Sequence, residues 1–170
     1  MTVKVTKPAI NVREKLAELD YGHVPYHKMP AGSVIQVATG STTAWSAFNS
    51  TGFAASGLSA YISPKSATSK ILISVSINGI YKNVSSHYII FRLYKDGVAI
   101  DSMSDNYGQN LAEFGGSFSY QHLYSPNSTE TAHYELRLRG SVSGSFGINN
   151  YGLSGNNQSR STITLMEIAQ

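Results

Sequence analysis

The chain of 170 residues has no cysteine. Disulfides and cysteine-ligated metal sites are therefore excluded, and the redox compartment cannot be read. Charge is also scarce: Asp, Glu, Lys and Arg make up 14% of the residues, against about 25% in an average soluble domain. Ser, Thr, Asn and Gly take those places, a palette that suits exposed β surfaces and loops. No basic run exists, since Lys4, Lys7, Arg13, Lys15 and Lys28 share the first 28 residues with Glu14, Glu18 and Asp20, and the remaining charges are scattered. The net charge of +3 thus leaves no footprint for DNA or RNA, and no nucleic-acid partner is expected. No apolar run approaches the ~18 residues of a membrane span, so no membrane insertion is expected. Nor does the start carry the apolar stretch of a secretory signal.

Catalytic signatures are missing too. There is no G-x-S-x-G, and "GSFGINNYG" (144–152) lacks the Lys-Ser/Thr and the helix of a phosphate loop. Asp101 and Asp105 have a spacing that would let them lie near one another, but no motif supports a glycosidase pair or a cation site, and two solvated loop acids are the simpler reading. His23 and His27 have helical i, i+4 spacing, yet Pro25 between them opposes a helix; the alternative is that a trimer brings three copies of one His to its axis, where they would bind a metal. His87, His122 and His133 read as strand residues with one satisfied ring nitrogen. No catalytic residue, metal site or cofactor is expected.

What is present is alternation. "LSAYISP" (58–64) places Leu58, Ala60 and Ile62 on one face, and "KILISVSING" (70–79) does the same with Ile71, Ile73, Val75 and Ile77. "HYIIFRLYKDG" (87–97) sets Phe91 and Leu93 against Arg92 and Tyr94, and "HYELRLRG" (133–140) sets Tyr134, Leu136 and Leu138 against Glu135, Arg137 and Arg139. "SFSYQHLY" (117–124) presents Phe118, Tyr120 and His122 together, and "STITLMEIA" (161–169) presents Ile163, Leu165 and, past Met166, Ile168. A period of two marks half-buried antiparallel strands. Asp96-Gly97 is a strong hairpin signal, and Asn78-Gly79 resembles it. Six to eight such strands predict a mainly β fold, a jelly-roll-like β-sandwich over 33–170. The Gly- and Asn-rich run 140–160 reads as a poor hairpin or a large exposed loop.

The front of the chain differs. "INVREKLAELD" (10–20) predicts a short N-terminal helix, with Asn11 and Glu14 as a capping pair and Ala9, Val12, Leu16 and Leu19 as an apolar seam. Two or three turns are marginal alone, so this helix must pack on something. It is either a docking or oligomerisation element, or it folds back on its own β domain. Residues 1–32 form this anchor and its linker.

Aromatics are the most telling group for recognition: 11 Tyr, 6 Phe and 1 Trp. Tyr107 in "SDNYGQN" and Tyr151 in "NNYGLSG" lie among amides, a mixture that makes adaptable, sugar-binding surfaces. Asn106, Tyr107, Gln109, Asn150, Tyr151 and Asn157 are accordingly the candidate receptor-binding residues. The strand tyrosines Tyr61, Tyr94 and Tyr134 read as structural.

"VTKPAINVREKLAELD" at the front, "TGFAASGLSAYISPKSATSKILISVSING" in the middle and "STITLMEIA" at the end resemble short tail-fibre and virion structural proteins of tailed bacteriophages. The resemblance is one of segment order and is weakest between about residues 81 and 155. It implies a homotrimeric virion protein, made in the host cytoplasm. Its N-terminal segment would contact other virion proteins and its β domain a host surface glycan or envelope receptor. The alternative it allows is a purely structural head fibre or capsid decoration protein. The linker "YGHVPYHKMP" (21–30), rich in aromatics and His, departs from a plain spacer.

Overall fold

The alternation read above sets the geometry of the computed structural model, which describes residues 25–83, 87–108, 114–149 and 159–170. The predicted helix with Ala9, Val12, Leu16 and Leu19, and also His23, Gln109, Asn150, Tyr151 and Asn157, lie outside the described residues. Among the described residues a 3-10 turn, Tyr26–Lys28, leads into ten strands. These are β1 (Val34–Thr42), β2 (Ser46–Phe48), β3 (Ala54–Ile62), β4 (Lys70–Lys82), β5 (Ile89–Lys95), β6 (Val98–Tyr107), β7 (Phe114–Tyr124), β8 (Ala132–Gly140), β9 (Phe146–Ile148) and β10 (Ser161–Ile168).

The protein is mainly β and has two antiparallel sheets. The first runs β1-β10-β4-β9-β2, with β7 on β4 as well; the second runs β3-β8-β5-β6. Among the long strands only β5 and β6 are consecutive neighbours within a sheet; every other long strand is followed by one in the opposite sheet. The hairpin between them is the one signalled by Asp96-Gly97. Both residues take positive φ, 49° and 81°, as a turn matched to the twist of the strands requires. The Asp96 carboxylate accepts from the His133 backbone N–H at 2.8 Å, which ties the turn to β8.

Both sheets turn their apolar faces to one core. Leu58, Ile71, Ile73, Val75, Phe91, Leu93, Leu136, Leu138, Ile163 and Leu165 are all buried in a single cluster. Each such side chain contributes about 1.5–3 kcal/mol of transfer free energy. In β7 the inward residues are Phe118, Tyr120 and Tyr124, packed against that cluster, while Leu123 faces solvent at 52% exposure.

Four expectations change. Asn78-Gly79 makes no hairpin. Gly79 has φ 58° and sits at a bulge inside β4, where the register against β7 shifts between Ile77 and Ile80. The extra residue resets the phase, so Ile77 and Ile80 are both fully buried. In β10 the alternation runs on unbroken, so Glu167, not Ile168, is buried. The run 140–160 contains a buried strand: β9 pairs with both β2 and the end of β4. Finally, His87 is fully buried and neither ring nitrogen has a hydrogen-bond partner among the described residues, contrary to the expected satisfied histidine.

Candidate functional site

The inward faces being full, chemistry is presented by what the alternation turns outward. On the second sheet this is an arginine-aromatic surface. Arg92 of β5 alternates with the buried Phe91 and Leu93, and Arg137 and Arg139 of β8 alternate with Leu136 and Leu138. The strand register then places Arg92 directly across from Arg137, with Ser102 on the far side of Arg92. Like charges directly opposite cost up to about 1 kcal/mol. Aromatic rings offset this. The guanidinium of Arg92 lies 4.7 Å and that of Arg139 5.1 Å from the Phe53 ring centre, and that of Arg137 lies 4.4 Å from Tyr94. At about 0.5–1 kcal/mol each for partly exposed pairs, three cation-π contacts outweigh one repulsive pair.

Neutralisation is incomplete. Arg137 donates from Nε to Glu135 Oε1 at 2.8 Å, and its Nη2 binds the same oxygen. Arg139 donates from Nη1 to the Thr51 carbonyl at 3.2 Å, while its Nε is buried without a partner. Arg92 makes no hydrogen bond or ion pair among the described residues. Further along the same face Tyr61, 61% exposed, stacks on His133 with ring centres 4.4 Å apart.

A second polar cluster joins the two sheets. Asp101 of β6, the edge of the second sheet, receives the hydroxyl of Tyr120 and, at 2.7 Å, Nδ1 of His122, both from β7 of the first sheet. Burial, then the bond to Asp101, pushes the Tyr120 phenol up to about 12. A carboxylate orienting a histidine is half of a nucleophilic triad, but among the described residues no hydroxyl is hydrogen-bonded to His122 Nε2. The cluster acts as a clasp between sheet edges. Ser102 bridges the two aspartates, donating its backbone N–H to Asp101 Oδ1 at 2.9 Å and its hydroxyl to Asp105 Oδ1 at 2.6 Å. Among the described residues no group of three His, Asp or Glu side chains is arranged to hold a metal.

Of the loop residues expected to bind a receptor, two are described. Asn106 is exposed. The Tyr107 ring packs edge-on against Phe91 and Phe118, at 5.7 and 5.5 Å, and its hydroxyl donates to the Ser117 carbonyl at 2.8 Å. Tyr107 thus seals the core edge, whereas Tyr61 and Tyr94, read as structural, face outward. Asn149, the first residue of the expected "NNYGLSG" loop, is buried and bridges: its Nδ2 donates to the Ala44 carbonyl and its Oδ1 accepts from Ser161. The sequence reading passed over Arg92, Arg137 and Arg139. Their signal was there, in arginines alternating with core leucines and phenylalanine, but only the pairing of β5 with β8 brings them together.

No protein-family model and no curated protein matches the sequence. Among solved structures the chain aligns with dimeric latent PorU from Porphyromonas gingivalis, at 10% identity and a TM-score of 0.33. The alignment covers 82% of this chain and 14% of that one. At this level of likeness the match has no bearing on function.

Proposed function

We propose that the chain is a virion fibre protein of a tailed bacteriophage that attaches the particle to a glycan on the host surface, without catalysis. The observation that carries this reading is the outward face of the second sheet. It is an array of guanidinium and aromatic groups, in which Arg92 makes no hydrogen bond or ion pair among the described residues. Rigid rings and planar donors on a sheet are the equipment of a binding surface, and a sheet holds them more firmly than loops do.

The fold reading is a jelly roll. With the two three-residue strands set aside, the sheets run β1-β10-β4-β7 and β3-β8-β5-β6. That order supports two interlocked Greek keys, an architecture common in viral capsid and lectin domains. The segment resemblance supports residues 1–32 as the virion anchor and 33–170 as the exposed domain.

The outer face of the first sheet supports a homotrimer. One row across it reads Val37, Met166, Leu72 and Leu123, joined by the strand register, and the next reads Thr39, Thr164, Ser74 and Gln121. Neither row carries a charge, and Val37 and Leu123 are 56% and 52% exposed. Depletion of charge is the mark of an interface core. The same face favours the second reading, a structural head fibre or decoration protein that only packs.

A glycan array probed with the full-length chain separates the two. Selective binding to a group of glycans is the expected result, and an array with no bound glycan would leave the structural reading. Release of reducing ends from a bound polysaccharide would contradict a non-catalytic role.

A further inference from the structure

We propose that the outer face of the second sheet binds acidic groups, carboxylate or phosphate, carried by a surface polysaccharide, with Arg92 as the principal contact and Arg137 beside it. The proposal deepens the attachment reading and rests on it.

The geometry of Arg92 is the first reason. A guanidinium offers five N–H donors in its plane. The guanidinium carbon lies 4.7 Å over the Phe53 ring, a cation-π contact that uses up no hydrogen-bond donor. The donors are held in place by the ring yet meet no acceptor among the described residues. This is a fork already set for the two oxygens of a carboxylate or phosphate.

The charge balance is the second. Among the described residues, Arg92, Arg137, Arg139 and His133 share this face and its rim with three carboxylates: Glu135, Asp105 and, at the turn beside His133, Asp96, which is paired with Lys95. Glu135 is engaged by Arg137, and Asp105 is engaged by Ser102. Glu135 meets Arg137 through one oxygen only, and Arg137 Nη1 makes no hydrogen bond among the described residues. Arg139 keeps a buried Nε without an acceptor. An anion beside Arg92 and Arg137 would relieve the repulsion between two guanidiniums set directly across from each other.

The third reason concerns the rest of the ligand. Tyr61, stacked on His133, stands four positions along β8 from the Arg137 row. At about 3.3 Å per residue this is about 13 Å. An exposed aromatic platform at that distance suits the ring of a neutral sugar in the same chain. An acidic polysaccharide satisfies both ends of the surface. A nucleic acid is disfavoured because the outward positions of β5 and β8 hold no lysine among the described residues and Glu135 lies among the arginines.

The test is biolayer interferometry of the full-length chain on immobilised polygalacturonate, which supplies carboxylates, and lipoteichoic acid, which supplies phosphates. Neutral dextran and duplex DNA complete the set. One or both acidic polymers should bind at least about tenfold more tightly than dextran, and binding should weaken as salt rises. The arm that binds identifies the anion. Arg92→Gln should weaken that binding about tenfold, and Arg92→Lys should restore only part of it, because a point charge lacks the fork. Lys70→Gln, on the other sheet, removes the same charge and should change binding less than about twofold. A melt of each variant checks folding, and Arg137→Gln reads the same site if Arg92→Gln melts early. Binding to dextran that ignores the arginine variants would overturn this inference and leave the attachment reading standing. Binding to no polymer would overturn both. Duplex DNA bound as tightly as the acidic polymers would overturn the inference in favour of a nucleic-acid surface.

Discussion

At the residue scale, two buried ionisable groups near the ends of strands make opposite demands. Glu167 is fully buried in β10. Its Oε1 accepts from the backbone N–H of Lys65 and Ser66, at 2.8 and 3.1 Å, and its Oε2 from the Gln36 amide at 2.6 Å. Burial alone would raise this carboxyl, but the donors outweigh it and hold it below its ordinary value of 4.5. The stabilisation is therefore complete above that value and is lost as pH falls through the lowered folded value. Glu167→Gln should flatten the acid limb of a stability profile below pH 4.5. Glu167→Ala should cost about 2–3 kcal/mol in a urea melt, since buried donors lose a charged acceptor. His87 is the contrary case. Burial, and then the neighbouring Lys82, lowers its pKa from 6.5, so the folded state keeps the imidazole neutral. Stability is whole above 6.5 and falls as the unfolded chain gains a proton that the folded one refuses. His87→Leu should remove that decline, measured as melting temperature between neutral and mildly acid pH. A wild-type profile flat through this range would refute the placement of His87.

At the scale of the elements, β1 passes so close to β3 that only glycine fits at position 40. A Cβ there would lie 1.8 Å from the Ser59 carbonyl oxygen. That atom is backbone and cannot swing aside, so the strands must part. Gly40→Ala should destabilise the protein by about 1–3 kcal/mol or more in a thermal or urea melt. Leu136→Ala, in the centre of β8, should cost about 2–5 kcal/mol. A parental melt for either would mean that the two sheets do not meet as described. Much of this was legible in the sequence. Period two marked the core faces of β3, β4, β5 and β8, and Asp96-Gly97 marked the one long-strand hairpin. What stayed hidden depended on partners distant in the chain. Asn78-Gly79 has the residues of a turn, and only pairing of β4 with β7 on both sides of it makes a bulge. Glu167 reads as a solvent residue until the loop at 65–66 supplies its donors. Tyr107 reads as a loop tyrosine until Phe91 and Phe118, from opposite sheets, close around it. The arginine surface was hidden for the same reason, since Arg92 and Arg137 are 45 positions apart.

At the scale of the whole molecule, the two outer faces are unlike. One carries an apolar row and small hydroxyls, with Lys70 toward its end; the other carries guanidiniums and rings. A trimer that buries the first and displays the second repeats the same weak site three times, and a set of fibres repeats it further. Contacts that are weak singly then sum through effective concentration. Light scattering of the full-length chain should therefore give three times the mass of 18.4 kDa. A monomer at micromolar concentration would remove this arrangement. The most direct measurement is flow cytometry of a panel of bacteria coated with the fluorescent full-length protein, wild type against Arg92→Gln with Arg137→Gln. We expect the wild type to coat a subset of strains and the double variant, with an unchanged melt and mass, to lose that coat. A wild type that coats no strain, or a double variant that coats the same strains equally, would contradict attachment through the arginine face.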